Sequence, residues 1–557
     1  MLQSHGALQL TTPALTNDGG AVLSDSVATI DVAQIDNRDG TISAGQLALT
    51  TTTVQNGGGE ILQTGTAASA ITAATIDNAG GTIASNGNLS INGGSISNHG
   101  GTIQTASNGD LSVTTATALD NGNGKIAADG KLTLQTGSLD NRAGQITSGS
   151  NLALTPSGDI DNGGGLIAAT GNVTVSSSAN LINNNGTIGA VQGNLSVTAA
   201  NINNGGGSLE AGQTLTTVST GLNNAQGSIS GNQVSVDTRG QTLDNSGGKI
   251  AARAALNIQS GQLTNTGGLV QALGAMTINT HGQALLNNQS GSAGIIGLDT
   301  VTLTSGSLNN QGGYLGSKNL LTVTTGQIDN SQYGNIVGQG AIVLNASGLN
   351  NAGGVVSASG NLSANLGSGA LDNRGGLMHS GATLAVNAGS IDNSNTQGAG
   401  QGMEGFDVAL TAPTINNNGG VIRADNQITL TTASLDNTNG LISSANSIVN
   451  NATSTANGSG TIIAGHALTM GSTSISGLGD YLSRGDLTFN YGGDFNNNSQ
   501  LLANGNLTFN STGTVTNSGK IGALATLNLS AANIDNQGSG EISAVTTNHQ
   551  RQRHAHQ

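Results

Sequence analysis

The sequence predicts an all-β chain, a parallel β-helix (β-solenoid) of about 26 coils with a repeat of about 20 residues. Three observations predict it. A Leu-Asp-Asn triplet or a near relative returns about every twenty residues from Leu15 to Ile534, and its third position falls 26 times, on Asn in every case but Gly477. Between triplets the aliphatic residues alternate at a period of two, as in Leu152-Ala153-Leu154, which is strand spacing with both leucines on one face. The 89 glycines, many in Asn-Gly-Gly or Asn-Asn-Gly strings, supply corners that need positive φ. A fixed period of this kind marks a repeat array rather than a set of separate domains.

One complete unit, residues 139–158, reads LDNRAGQITSGSNLALTPSG. Leu139, Ile146, Leu152 and Leu154 are its regular aliphatics, and Asn141, Gly144 and Gly149 are its turn residues. No window carries a sustained i, i+3, i+4 apolar pattern, so each unit is two or three short strands separated by corners. Burial of four aliphatics falls short of the entropy of ordering twenty residues, so a single coil cannot stand alone. Stacking and hydrogen bonds to both neighbours must supply the rest. In Leu139-Asp140-Asn141 the Leu and the Asn share the inner face and the Asp points outward. The inward Asn is therefore expected to bond to its counterpart one coil away, in a structural ladder that includes Asn121, Asn141, Asn162, Asn184, Asn204 and Asn224. The third position of the triplet also places Asn288 in that line. Phe489 and Phe509, twenty residues apart in Leu-Thr-Phe and aligned with Met470 and Leu529, are expected as stacked core.

The repeat is expected to run over residues 1–544, irregular near 394–407 and 443–485, and to give way to a disordered, non-repeat tail at 545–557. Coil register between Asn437 and Asn497 is the least legible, and a break or kink is expected there. The chain begins inside a repeat at Met1-Leu2-Gln3-Ser4-His5 without a signal peptide or cap. Uncapped strand edges invite association, so a segment of something longer, or a broken reading frame, is expected.

Only 8% of residues are charged and 1% aromatic, while 35% are hydrophobic and mostly small. That composition suits a narrow core. The net charge of −15 and a pI near 4.6 disfavour nucleic acid and anionic membrane surfaces. The absence of cysteine excludes disulfides and thiolate chemistry, and no apolar stretch approaches the length of a membrane span.

The units LDNRAGQI, LDNRGGLM and LDNTNGLI, with the linking GNLSV and GKLTL strands, resemble the filamentous haemagglutinin repeats of Gram-negative exoproteins, over essentially all of residues 7–544. The resemblance implies a right-handed β-helix exported by two-partner secretion through an outer-membrane transporter barrel. It implies a secreted or cell-surface location, and a role as an adhesin or as the stalk of a contact-dependent growth-inhibition protein. The family's amino-terminal secretion domain and carboxy-terminal toxin have no counterpart in this sequence.

Candidate sites are few. Arg484-Gly485-Asp486 is the integrin-type tripeptide and sits near the aromatic cluster of Tyr481, Phe489, Tyr491 and Phe495, yet SRGDLTF aligns with ANGNLTF at 503–509, an ordinary repeat corner. Asp120, Asp140 and Asp161 fall outward in consecutive coils, where a stack can hold calcium; a solvated acidic face is the plainer reading, and no metal site is assigned. The eight histidines lack metal-ligand spacing within the repeats. Ser394 to Asp407 belongs to the longest spacing and is expected to bulge from the shaft. The Asn-x-Ser/Thr sequons, such as Asn88-Leu89-Ser90, follow from the strand start and say nothing of glycosylation.

The function expected is a non-catalytic structural and adhesive shaft whose partner is a receptor on a host cell or a neighbouring bacterium, with no cofactor. The alternative is a stalk presenting the toxin of a growth-inhibition system. A polysaccharide-cleaving β-helix enzyme is a weaker reading, because no carboxylate pair or basic residue beside sugar-stacking aromatics is present. An ice-binding solenoid is weaker still, because the outward positions lack a repeated Thr pair.

Overall fold

The computed structural model describes residues 1–289 and 293–551, which form two compact units, Met1–His281 and Gly282–Gln557. Each is a parallel β-solenoid, and the described residues contain no helix. The coils are right-handed, the sense that parallel crossover connections take.

A coil has three faces. Following residue 144, the first-face strand is Gln145–Ser148, the second is Leu152–Leu154 and the third is Ile160–Asp161. Each pairs in parallel with its counterpart one coil away. Ile126, Ile146, Ile167 and Ile188 stack on the first face. Leu132, Leu152, Val173 and Leu195 stack on the second, and Leu139, Ile160, Leu181 and Ile202 on the third. All of these are buried. Like packs on like because the period of two aims the same positions inward in every coil. Where glycine is missing from the corners, the faces merge into long strands, as in Ala21–Asp36 of the first unit and Val421–Asp436 of the second.

The first unit carries fourteen first-face rungs, from Leu2–Ser4 to Leu269–Ala272, and the second thirteen, from Gly294–Gly297 to Glu541–Ser543. This is one more than the number of triplets, because a first-face strand precedes the first triplet. At a strand spacing of roughly 4.8 Å, each unit rises on the order of 60 Å along its own axis.

The second unit is less uniform. Its second-face inward column runs Leu430, Asn450, Met470, Phe489, Phe509 and Leu529. Asn450 is fully buried there, its Nδ2 donating to Thr455 Oγ1 at 3.1 Å, and Thr455 Oγ1 lies 3.0 Å from Ser472 Oγ. The rings of Phe489 and Phe509 stack at 5.0 Å with 14° between planes, and Tyr481 meets Phe489 edge-on at 5.3 Å. Burial pushes the Tyr481 phenol well above its ordinary value, and its hydroxyl lies near Asn457 without hydrogen-bond geometry.

Between Asn437 and Asn497 the first and second faces continue in register. The third face is interrupted. Ser474–Ser476 pairs only with Ser454–Ala456, while Phe495–Asn497, Thr514–Asn517 and Asn533–Asn536 form a separate three-stranded sheet. At the gap, the Ile475 N–H donates to Tyr491 Oη at 3.4 Å.

The expected bulge is shorter than 394–407. Ser394 and Thr396 are buried and Gly402–Thr411 is a strand, so only 397–401 leaves the coil. At the other end, Thr546–Arg551 pairs in parallel with Thr526–Ala531, so the first residues of the expected tail add one more rung. Residues 552–557 lie outside the described residues.

Candidate functional site

The most regular chemical feature is the inward asparagine line. In the first unit thirteen asparagines from Asn17 to Asn265 form one unbroken ladder, each Nδ2 donating to the Oδ1 one coil on at 2.6–2.7 Å. In the second unit nine more run from Asn287 to Asn457 at 2.7–2.8 Å. The line stops at Gly477, whose φ is +92°, and resumes through Asn497, Asn517 and Asn536.

Asn121, Asn141, Asn162, Asn204 and Asn224 occupy rungs, and Asn184 does not. Asn183 takes that place, accepting from Asn162 and donating to Asn204 at 2.7 Å. The run Leu181-Ile182-Asn183-Asn184 allows two registers, and a slip of one residue exchanges the faces. Leu181 stacks on Ile160 and Ile182 points outward, so Asn184 falls in the turn with its side-chain oxygen buried and unpartnered. The same ambiguity in Leu285-Leu286-Asn287-Asn288 resolves the same way, with Asn287 on the ladder in place of Asn288.

At Asn183 a glycine three residues on would have fixed the register. The backbone N–H of Gly144 donates to the Asn141 carbonyl at 3.0 Å, closing a tight turn whose third residue, Ala143, has φ +51°. A Cβ on Gly144 would lie 2.2 Å from the Asn121 carbonyl oxygen and 2.6 Å from Asn141 Oδ1. Asn183 has this glycine at Gly186, whereas Asn184 has Thr187 in its place.

The outward aspartates hold the same turns from the other side. Asp120, Asp140 and Asp161 each accept the backbone N–H two residues on, at 2.8–3.0 Å, which is the Asx-turn geometry. Arg142 pairs with Asp140 at 2.5 Å and reaches Asp161 at 3.7 Å. Hydrogen bonds from Arg38, Arg142 and Arg374 hold Asp36, Asp140 and Asp372 below the usual carboxylate range, against the opposing effect of burial. In this stack the guanidinium lies between the Asp140 and Asp161 carboxylates. Among the described residues no three His, Asp or Glu side chains gather as a metal site.

A second ladder, on the outside, escaped sequence reasoning. In several coils the residue before the second-face strand accepts the backbone N–H one coil on: Asn88 from Asp110, Asp110 from Lys131, Asn151 from Asn172 and Asn172 from Asn194, at 2.7–2.8 Å. Its signal was the Gly-Asn-Leu that also writes the sequons.

Asp486 belongs to this outer line. Its carboxylate accepts the Asn506 backbone N–H at 2.8 Å and the Asn506 side-chain amide at 3.2 Å. Arg484 is exposed, Gly485 donates to Ser483 Oγ at 3.2 Å, and the strand begins at Asp486. The tripeptide is thus a two-residue corner followed directly by sheet, without a protruding loop.

A right-handed parallel solenoid whose buried amides join coil to coil and whose outward aspartates hold the turns defines a structural repeat protein. The haemagglutinin repeat family model matches the chain ten times, over residues 3–70, 64–123, 106–177, 168–247, 229–290, 294–365, 363–412, 401–472, 471–519 and 482–552. The chain belongs to this family and is a filamentous haemagglutinin-like repeat region. No curated protein and no solved structure matches it.

Proposed function

We propose that this chain is the structural and adhesive shaft of a large secreted or surface-displayed bacterial exoprotein, engaging a host-cell or neighbouring-bacterium receptor. The observation that carries the reading is the pairing of coils within each unit, continuous on the first and second faces. Backbone edges are used up between neighbouring coils, so contact with a partner falls to outward side chains repeated along the axis. Weak contacts of that kind gain strength by multivalency. The family's association with two-partner secretion supports an outer-membrane transporter barrel as the export partner of the full protein.

A stalk that presents the toxin of a contact-dependent growth-inhibition system is the second reading. The changing outward position, Asp161, Ile182, Asn203 and Asn223 in successive coils, favours it, since a spacer tolerates such variation. Saturable binding of purified protein to epithelial cells and to kin bacteria, with and without calcium, separates the two. Saturable binding makes this segment an adhesin, and its absence in folded protein makes it a spacer. Arg484, Gly485 and Asp486 are the cell-binding candidates for that assay, tested by Asp486→Glu.

A further inference from the structure

The third face of the first unit carries an open groove of about 440 Å³ between Asn180 and Asp244. Two outward rows line it, Asn180, Asn201 and Gly221 in one, and Ile182, Asn203 and Asn223 in the other. Amides bridge the rungs along each row, Asn201 to Asn180 at 3.0 Å and Asn223 to Asn203 at 2.9 Å. The first row then stops, because Gly221 has no side chain to continue it, and the missing side chain deepens the groove. Two atoms are left over: Asn201 Oδ1 and Asn203 Nδ2 make no hydrogen bond to the described residues.

The window differs from its surroundings in charge. Outward aspartates mark its ends, Asp159 and Asp161 just before it and Asp244 in its far lining, the first holding Asn180 and the last holding Ser246. From Ile182 to Asn223 both rows are uncharged. We propose that this window binds a neutral, extended glycan laid along the solenoid axis, a reading that rests on the adhesive role proposed above.

The chemistry selects that occupant. Carboxamides both donate and accept, as sugar hydroxyls do, and Ile182 offers an apolar surface to the C–H face of a ring. The rungs repeat at roughly 4.8 Å, close to the advance of one sugar in an extended β-linked chain, so successive sugars meet equivalent amides. A peptide strand cannot add here, because the edges of these strands are already paired to the coils on either side. An anion finds no cation in the window. Without an aromatic platform each sugar contributes little, so affinity grows with chain length.

The test is calorimetric titration of the whole chain with cellohexaose, chitohexaose and xylohexaose, with maltohexaose as a curved control. At least one extended hexasaccharide is expected to bind saturably, more tightly than its trisaccharide. Gly221→Asn should lower that affinity at least tenfold. Its Cβ would sit 3.2 Å from Asn201 Oδ1, a side-chain atom free to shift, so the variant extends the outer row and fills the groove. Asn203→Ala, at a solvent-facing position, should weaken binding without altering the circular dichroism spectrum. Lack of binding by folded wild-type protein overturns the proposal, as does undiminished binding by both folded variants. Concentration-dependent dimerisation lost in Gly221→Asn, without glycan binding, also overturns it and assigns the groove to a second copy. If wild type and Gly221→Asn adhere equally to cells, the groove fails and the adhesive role stands. If wild type binds the hexasaccharide and does not adhere, the adhesive role fails and the groove stands.

Discussion

Replacing Asn141 with Ala removes one rung of the inner ladder. Its Nδ2 donates to Asn162 Oδ1 at 2.7 Å and to the carbonyls of Gly144 at 3.3 Å and Leu166 at 3.2 Å, while its Oδ1 accepts from Asn121 at 2.7 Å. The variant leaves Asn121 Nδ2 without its shortest acceptor and Asn162 Oδ1 without its donor, both at fully buried residues. Each of these lost buried partners costs about 1–3 kcal/mol, although Asn121 Nδ2 keeps the Gly124 and Gln145 carbonyls, and the small cavity adds to this, so a loss of about 3–6 kcal/mol is expected. A solenoid of near-identical coils does not unfold in one step, so a global midpoint is the wrong readout. Native-state hydrogen exchange across residues 139–166 reports local opening directly, and should accelerate by about two to four orders of magnitude. Asn151→Ala is the control. It removes an outer rung at an exposed residue, where water replaces the lost acceptor, and should cost no more than about 1 kcal/mol. Equal acceleration in the two variants, or less than tenfold in Asn141→Ala, would refute the claim that the buried ladder holds the coils together.

Three further outcomes follow from particular atoms. Thr217 sits fully buried between Val197 and Val236 with its hydroxyl unpartnered, so Thr217→Val should stabilise its coil by about 1–2 kcal/mol, read as slower local exchange. At the adjacent turn residues 143 and 144 opposite signs are expected. Ala143→Gly relieves a left-handed backbone and should gain about 0.5–1 kcal/mol, whereas Gly144→Ala drives a Cβ into the Asn121 carbonyl and should lose about 2–3 kcal/mol. The arginine-held carboxylates of Asp36, Asp140 and Asp372 are depressed in the folded chain, so their contribution is present above the ordinary carboxylate pKa and is lost as pH falls through the folded values. Hydrogen-exchange protection factors in these three turns should be flat above about pH 5 and fall below about pH 4, and Arg→Gln at positions 38, 142 and 374 together should make that fall shallower.

The period, the strand positions and the commonest ladder residues were legible because twenty-residue self-similarity repeats the same inward aliphatics. Register failed where two aliphatics precede two asparagines, at Leu181-Ile182 and Leu285-Leu286. There the inward choice is decided by the neighbouring coil, and at Leu181-Ile182 also by Gly186, which must sit under the Asn162 carbonyl. Asn450 was equally hidden, since a buried amide within the aliphatic column depends on Thr455 being folded over it. The groove at Gly221 was illegible for a related reason. It is made by residues about twenty apart whose side chains are absent, uncharged or unpartnered only once the register is known.

The manner in which 397–401 leaves the coil shows how the scaffold accepts extra sequence. In ordinary coils a glycine carbonyl receives the N–H that opens the next first-face strand, as Gly20 does for Thr41 at 2.9 Å. Where that glycine is displaced, Thr396 Oγ1 receives the Val421 N–H at 3.0 Å and donates to the Asn393 carbonyl at 2.9 Å, and Gly402 rejoins the sheet through Gly376 at 2.8 Å. One hydroxyl thereby closes the coil beneath the excursion, and the core is blind to what the excursion contains. The corner acts as a socket: a side chain that caps the coil from within frees the loop above it to change in length and chemistry without a cost to the fold.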